Sequence, residues 1–247
     1  MPKDFRLIPE RYRVLSGSVL KVIAVVTMLI DHTAVAQTTY LSGIELFTIL
    51  GSPMTAYRIM RDIGRIAFPI FCFLLVEGFD HTHDRRAYGI RLALFALISE
   101  VPWNLFHCNG PFLLGSQNVF FTLLLSYVAL CILEECQKAE DAGHRWRMLL
   151  ALLGVFLLAC VARTDYGARG MGLVLSLHLL RQIPLVRAIV ASACDGAVFF
   201  ASLAFIPIGM YNGERGFIRG RVLQLLFYAI YPVHMLILWA LSFHVFG

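Results

Sequence analysis

Asp31 and His32 stand side by side in the run MLIDH, behind ten mostly apolar residues. A neutral imidazole can take a proton from an attacking amine or hydroxyl, and a carboxylate can hold such a ring in one tautomer, so the pair has the composition of a general base and its partner. Neighbouring residues project about 100 degrees apart on a helix, so at least one of the two must find its partner on another helix. Arg61 and Arg65 are four apart and share a helical face, where two guanidinium forks can clamp an anion. Glu100 lies in LISEVPWNLF with Asn104 one turn on and Pro102 between them, a carboxylate that would pair naturally with an arginine. Gln117 and Asn118 open the next apolar run, where Asn is a good helix cap. The turns RTDYGARG and MYNGERG supply Asp165, Tyr166, Tyr211, Asn212 and Arg215, residues that also suit tight turns on conformational grounds alone. In YPVH, Tyr231, Pro232 and His234 predict a local break around a polar group. Glu77 and His81 share a face and read equally well as an interfacial pair beside Arg85 and Arg86.

These side chains matter because of where they must sit. Of 247 residues, 59% are hydrophobic and 15% charged, far from the balance of a water-soluble domain. Apolar runs near 18–36, 61–79, 88–106, 119–133, 148–162, 170–180, 187–207 and 222–243 predict about eight membrane-crossing helices, taking roughly 20 residues per crossing. The runs show no period-two alternation, and a helix satisfies its own backbone in lipid, so the fold class is an all-α, polytopic membrane bundle. Connections are short, so 1–247 reads as a single transmembrane domain. Residues 43–52 are too few to cross and read as interfacial or re-entrant. An ionisable group within a bilayer costs about 2.5–3.5 kcal/mol, so each needs a partner, water or a function. Threading eight crossings puts Asp31, His32, Arg61, Arg65, Glu100, Gln117, Asn118, Asp165, Tyr211, Asn212 and Arg215 at one face, opposite the two chain ends, with His234 part-way down. That end is the expected cavity.

The formal charge of +5 comes from 18 Arg and 3 Lys. Thirteen of these fall on the side of the chain ends in the eight-crossing arrangement and eight on the other, which predicts both ends in the cytoplasm. The other side uses arginine alone, which fits either two-point anion binding or headgroup anchoring. No basic run is interleaved with exposed aromatics, so nucleic acid is not an expected partner. The six cysteines form no CxxC pair and fall mostly in apolar runs, so neither a disulfide framework nor a metal site is expected.

The runs LKVIAVVTMLIDH, IGRIAFPIFCFLLVEGFDHT, RLALFALISEVPWNL, QNVFFTLLL, DYG, PIGMYNGERG and YAIYPVHMLIL occur in the order and spacing of the TraX family, which the chain resembles over nearly its whole length. The resemblance implies an enzyme of the bacterial cytoplasmic (inner) membrane, similar to the acetyltransferase that modifies the N-terminus of conjugative F-pilin and, more distantly, to membrane acyltransferases of cell-surface glycans. It implies acetyl-CoA as acyl donor and, as acceptor, the amine or hydroxyl of a membrane-associated peptide, glycan or lipid. It makes His32 the general base, with Asp31 or Glu100 fixing its tautomer. Arg61, Arg65, Arg215 and Arg169 would hold phosphates or an oxyanion, with Asn118 and Tyr211 as further donors and Asp165, Asn212 and His234 completing the binding set.

Acetyl-CoA is cytosolic, whereas the charge count puts the polar end outside. Either the cavity passes through the bundle or the orientation is reversed. The alternative function is a proton-coupled transporter or exporter of an anionic substrate, with Asp31, His32, Glu100 and His234 relaying protons. Acyl transfer requires thiol release that depends on His32; transport requires flux without it.

Overall fold

The computed structural model describes residues 8–49, 52–110, 115–195 and 198–244. The chain is helical nearly throughout: α1 (Gly17–Ala36), α2 (Thr38–Ser42), a ribbon of β1 (Glu45–Ile49) and β2 (Ser52–Thr55), α3 (Ala56–Gly64), α4 (Ala67–His81), α5 (Arg85–Cys108), α6 (Val119–Lys138), α7 (Ala142–Val161), α8 (Gly167–Leu179), α9 (Pro184–Asp195), α10 (Val198–Leu203), α11 (Phe205–Gly209) and α12 (Arg221–His244). Five of these, α1, α5, α6, α7 and Val222–Ser242 within α12, are long and apolar enough to cross a membrane. The molecule is an all-α polytopic membrane bundle, and each of the eight apolar runs is mainly helical in its described residues.

Two runs are divided, and proline explains where. A proline ring clashes with the carbonyl four residues earlier and lacks an N–H, so a helix ends before it or bends. Pro69 therefore disfavours helix at Arg65, and α3 gives way to α4 across Arg65 and Ile66. Pro207 does the same at Leu203, the last residue of α10. The break expected at Pro232 is absent, and α12 runs through it. Of the run 43–52, the described residues 43–49 and 52 do not enter the bundle: β1 pairs antiparallel with β2, and 45–48 are exposed.

The core is centred on α4 and α8. Ile70, Phe79, Met171, Leu173 and Leu177 are fully enclosed, whereas α7 is almost wholly outward-facing. Enclosure explains how α8 manages with 13 residues, about 20 Å of helix. It need not span lipid by itself.

Contacts of α1 with α12 and with the segment just before α12 set the direction of the chain. At one end, called near, Gly17 N–H donates to Glu214 O (2.7 Å), Ser18 Oγ to Arg215 O (2.8 Å) and Ile218 N–H to Ser18 Oγ (2.7 Å). Gly216 permits this approach: its φ of +82° and the nearness of Ser18 leave no room for a Cβ. At the far end His32 meets His234, and Ser242 Oγ donates to Ala36 O (3.4 Å). Thus α1 and α12 are parallel, and the expectation that both chain ends share a side is overturned. The cause is the seventh run: α10 folds back against α9, and α11 delivers Met210 beside Leu15 at the near end. Arg215, Arg219 and Arg221 move to the near end with it, so 14 of the 19 Lys and Arg among the described residues lie there.

Candidate functional site

One cavity of about 510 Å³ runs along the inner face of α1. Gly17, Lys21, Val25, Met28 and His32 all line it, and their steps of four, four, three and four residues trace one helical stripe. Lys21 and His32 are separated by three turns, about 16 Å along the axis. Lys21 and Arg215 mark the near mouth, and Asp31, His32 and Asp165 mark the far end. Between them the wall is apolar, including Phe71, Leu74, Leu75, Phe120 and Leu123.

At the far end, α1 divides its two ionisable neighbours between two helices, as the 100-degree step requires. Asp31 Oδ2 accepts from Arg61 Nη1 of α3 at 2.6 Å. Gly64 makes room for this carboxylate, since a Cβ there would stand 2.5 Å from Asp31 Cγ. His32 Nδ1 lies 2.6 Å from Nε2 of His234 on α12. The two rings are within 2° of parallel with centroids 4.9 Å apart. That separation matches the N···N distance plus two ring radii, so the rings meet edge to edge along one line and do not overlap face to face. His234 Nδ1 lies 2.8 Å from Ile230 O, and His234 is buried.

Asp165 sits in the turn before α8, held where its N–H donates to Gln117 O (2.9 Å). It lines the cavity and stays solvent-accessible. Its carboxyl is pushed up to about 6 by the surrounding protein and then by the Asp31 carboxylate, against the opposing pull of Arg61 and Arg65. The stacked rings of Phe68 and Tyr166, 3.4 Å between centroids, wall this end.

Several expected members take other roles. Asn118 Oδ1 caps α6 by accepting from Phe120 N–H (3.0 Å), while its Nδ2 donates to Glu100 Oε2 (2.6 Å) and Ala96 O (2.8 Å). Glu100 thus holds the start of α6 in place of pairing with an arginine, and neither residue lines the cavity. Arg61 is committed to Asp31, and with Arg65 balances the far-end carboxylates, so the pair is no open phosphate clamp. The partner of His32 is His234, where Asp31 or Glu100 was expected.

Tyr211, Asn212 and Arg215 lie at the near end, not beside Asp31 and His32, because α10 and α11 fold back. Asn212 holds its turn by accepting from Glu214 N–H (2.9 Å). Tyr211 lines the near mouth and its hydroxyl bonds to Glu77; burial and then that carboxylate push it up to about 12. Arg169 is exposed and is not among the cavity-lining residues.

In the sequence Lys21 is one of the three lysines and carries no motif beyond its charge. Its spacing of 11 from His32, three helical turns on one face, is the signal that places it in the cavity. Among the described residues, no cluster of His, Cys, Asp and Glu has the arrangement of a metal site.

No solved structure matches the chain. A relative from Dichelobacter nodosus, named as a probable fimbrial assembly protein FimC of serogroup H1, is 28% identical over 250 residues, covering 89% of this chain and 92% of the relative. The family model described as TraX protein matches residues 16–242, through every helix that lines the cavity, and the chain therefore belongs to the TraX family.

Proposed function

We propose that the chain is a membrane acetyltransferase that moves an acetyl group from acetyl-CoA to an amine or hydroxyl of a membrane-associated acceptor, with His32 as general base. The observation that carries this reading is one continuous cavity joining the cations Lys21, Arg91 and Arg215, with the Glu77 carboxylate among them, at one end to a histidine at the other. Lys21 and Arg215 have no acidic partner among the described residues. Acetyl-CoA has the matching order of parts: a polyanionic head, an uncharged arm and a terminal thioester. With the phosphates at Lys21 and Arg215, the arm follows the apolar wall for about 16 Å and the thioester reaches His32.

The acceptor nucleophile attacks the thioester carbonyl while its proton passes to His32 Nε2. The tetrahedral intermediate then collapses, the C–S bond breaks, and the leaving thiolate takes the proton from His32. The products are the acetylated acceptor and free CoA thiol.

Basic residues concentrate on cytoplasmic faces, so the near end, with 14 of 19, belongs in the cytoplasm of a bacterial inner membrane. The donor then enters from the side where acetyl-CoA is made, and the acceptor meets the thioester at the outer end. The fimbrial assembly relative supports a pilus subunit as acceptor.

The test is incubation of the chain in nanodiscs with radiolabelled acetyl-CoA and a pilin peptide, beside His32→Ala. Labelled peptide and thiol release that require His32 support the proposal. Equal turnover by His32→Ala, or anion flux in proteoliposomes without thiol release, overturns it.

A further inference from the structure

The geometry points to His234 as the positioning residue that makes His32 a base on its cavity side, through an N–H···N bond between the two rings. This deepens the acyl-transfer reading and rests on it for its kinetic readout, although the hydrogen-bond assignment stands apart from any activity.

The assignment follows from what each atom can do. Ring nitrogens are not distinguished by position alone, so the donor must be deduced from the network. A backbone carbonyl only accepts; His234 Nδ1, 2.8 Å from Ile230 O, must therefore carry hydrogen. In a neutral His234 the other nitrogen, Nε2, then carries a lone pair. That lone pair faces His32 Nδ1 at 2.6 Å, so His32 Nδ1 is the donor. Hydrogen at Nδ1 leaves His32 Nε2 unprotonated, and Nε2 has no hydrogen-bond partner among the described residues. The in-line, nearly coplanar rings are the arrangement such a bond prefers.

The position usually taken by a carboxylate is thus taken by a second imidazole. Asp31 cannot serve, because it projects to α3 and is bonded to Arg61. The substitution changes the charge of the working pair. A carboxylate partner would make it neutral overall once His32 gains the acceptor's proton; with His234 the pair carries one positive charge, shared along the N–H···N axis. That charge is returned when the thiolate leaves.

α12 supplies the rigid base for this arrangement. His234 is enclosed near Tyr231, whose ring centroid lies 5.7 Å away, and the chain around it is helical on both sides.

The experiment uses the full chain in nanodiscs with nitrogen-15-labelled histidine. The expected spectrum has His32 protonated at Nδ1, with scalar coupling across the bond to His234 Nε2. His234→Phe is expected to give a mixture of His32 tautomers and a fall in kcat of about a hundredfold, the scale of general-base catalysis, with KM for acetyl-CoA little changed. His234→Gln places a side-chain carbonyl where Nε2 stood, and should restore the Nδ1 tautomer and most of kcat. A wild-type His32 protonated at Nε2 overturns the inference, as does a His234→Phe protein, still melting cooperatively, with unchanged tautomer and kcat. Should His234→Phe not fold, a His234→Gln protein with a lost Nδ1 tautomer does the same. If the coupling is present but no acetyl transfer occurs, the acyl-transfer reading fails and the histidine pair remains.

Discussion

Replacing Gly64 with alanine tests whether close approach of α3 to α1 sets the far end of the cavity. A Cβ at position 64 would lie 2.5 Å from Asp31 Cγ, and nearer still to its Cβ and Oδ1. Non-bonded carbons rest about 3.5–4.0 Å apart, so Asp31 must retreat by about 1 Å or more. Side-chain rotation cannot clear the clash, because Asp31 Cβ is itself involved and is one bond from the backbone. The helix must therefore move, taking His32 with it and stretching the Asp31–Arg61 bond from 2.6 Å. Overpacking of this kind costs about 1–3 kcal/mol, and a misplacement of about 1 Å at a reacting group costs about a hundredfold in rate. Gly154→Ala is the control: it lies in α7, where a Cβ meets nothing within 4 Å, and alanine favours the helix by about 0.8–1.0 kcal/mol. Thermal unfolding in detergent and acetyl transfer in nanodiscs are measured on both. A Gly64→Ala protein as stable and active as Gly154→Ala would refute the packing argument.

Lys21→Met removes one charge-assisted contact to the donor, so CoA affinity measured by calorimetry should fall about 10- to 100-fold, from about 1.5–3 kcal/mol; unchanged affinity would reassign Lys21 to the lipid headgroups. Asn118→Ala removes the cap of α6 and leaves Glu100 without its shortest partner, at a cost of about 2–4 kcal/mol in chemical denaturation, with CoA affinity intact. Asp165 titrates at about 6 in the folded chain, above its ordinary 3.8, so the folded state keeps a proton that the unfolded chain has lost. Stability therefore declines as pH rises through that window, and the loss is complete above about pH 7. Asp165→Asn should melt higher than the wild type at pH 7.5, by a margin that narrows at pH 5; an equal margin at both would show that the carboxyl is not perturbed.

How much of this was legible can be traced residue by residue. Composition and the eight apolar runs determined an all-α membrane bundle, because burying bare backbone in lipid leaves a chain of this pattern no other choice. The ordered motifs determined the family. The adjacency of Asp31 and His32 determined that they must face different partners, a consequence of helical geometry alone. The stripe from Gly17 to His32 was equally readable, since its period is that of the helix.

Tertiary structure decided which partners those are. Asp31 went to Arg61 and His32 to His234, 202 residues away in sequence, and no local pattern encodes a pairing at that distance. It also decided which end of the bundle each turn occupies. Whether the run 187–207 crosses or folds back depends on how α9, α10 and α11 pack, not on how apolar they are. An apolar hairpin packed against neighbouring helices and a crossing helix bury similar side chains, so hydropathy cannot tell them apart. That one fold-back reverses the assignment of Tyr211, Asn212 and Arg215, and turns a presumed cluster at one face into a cavity with two chemically different ends.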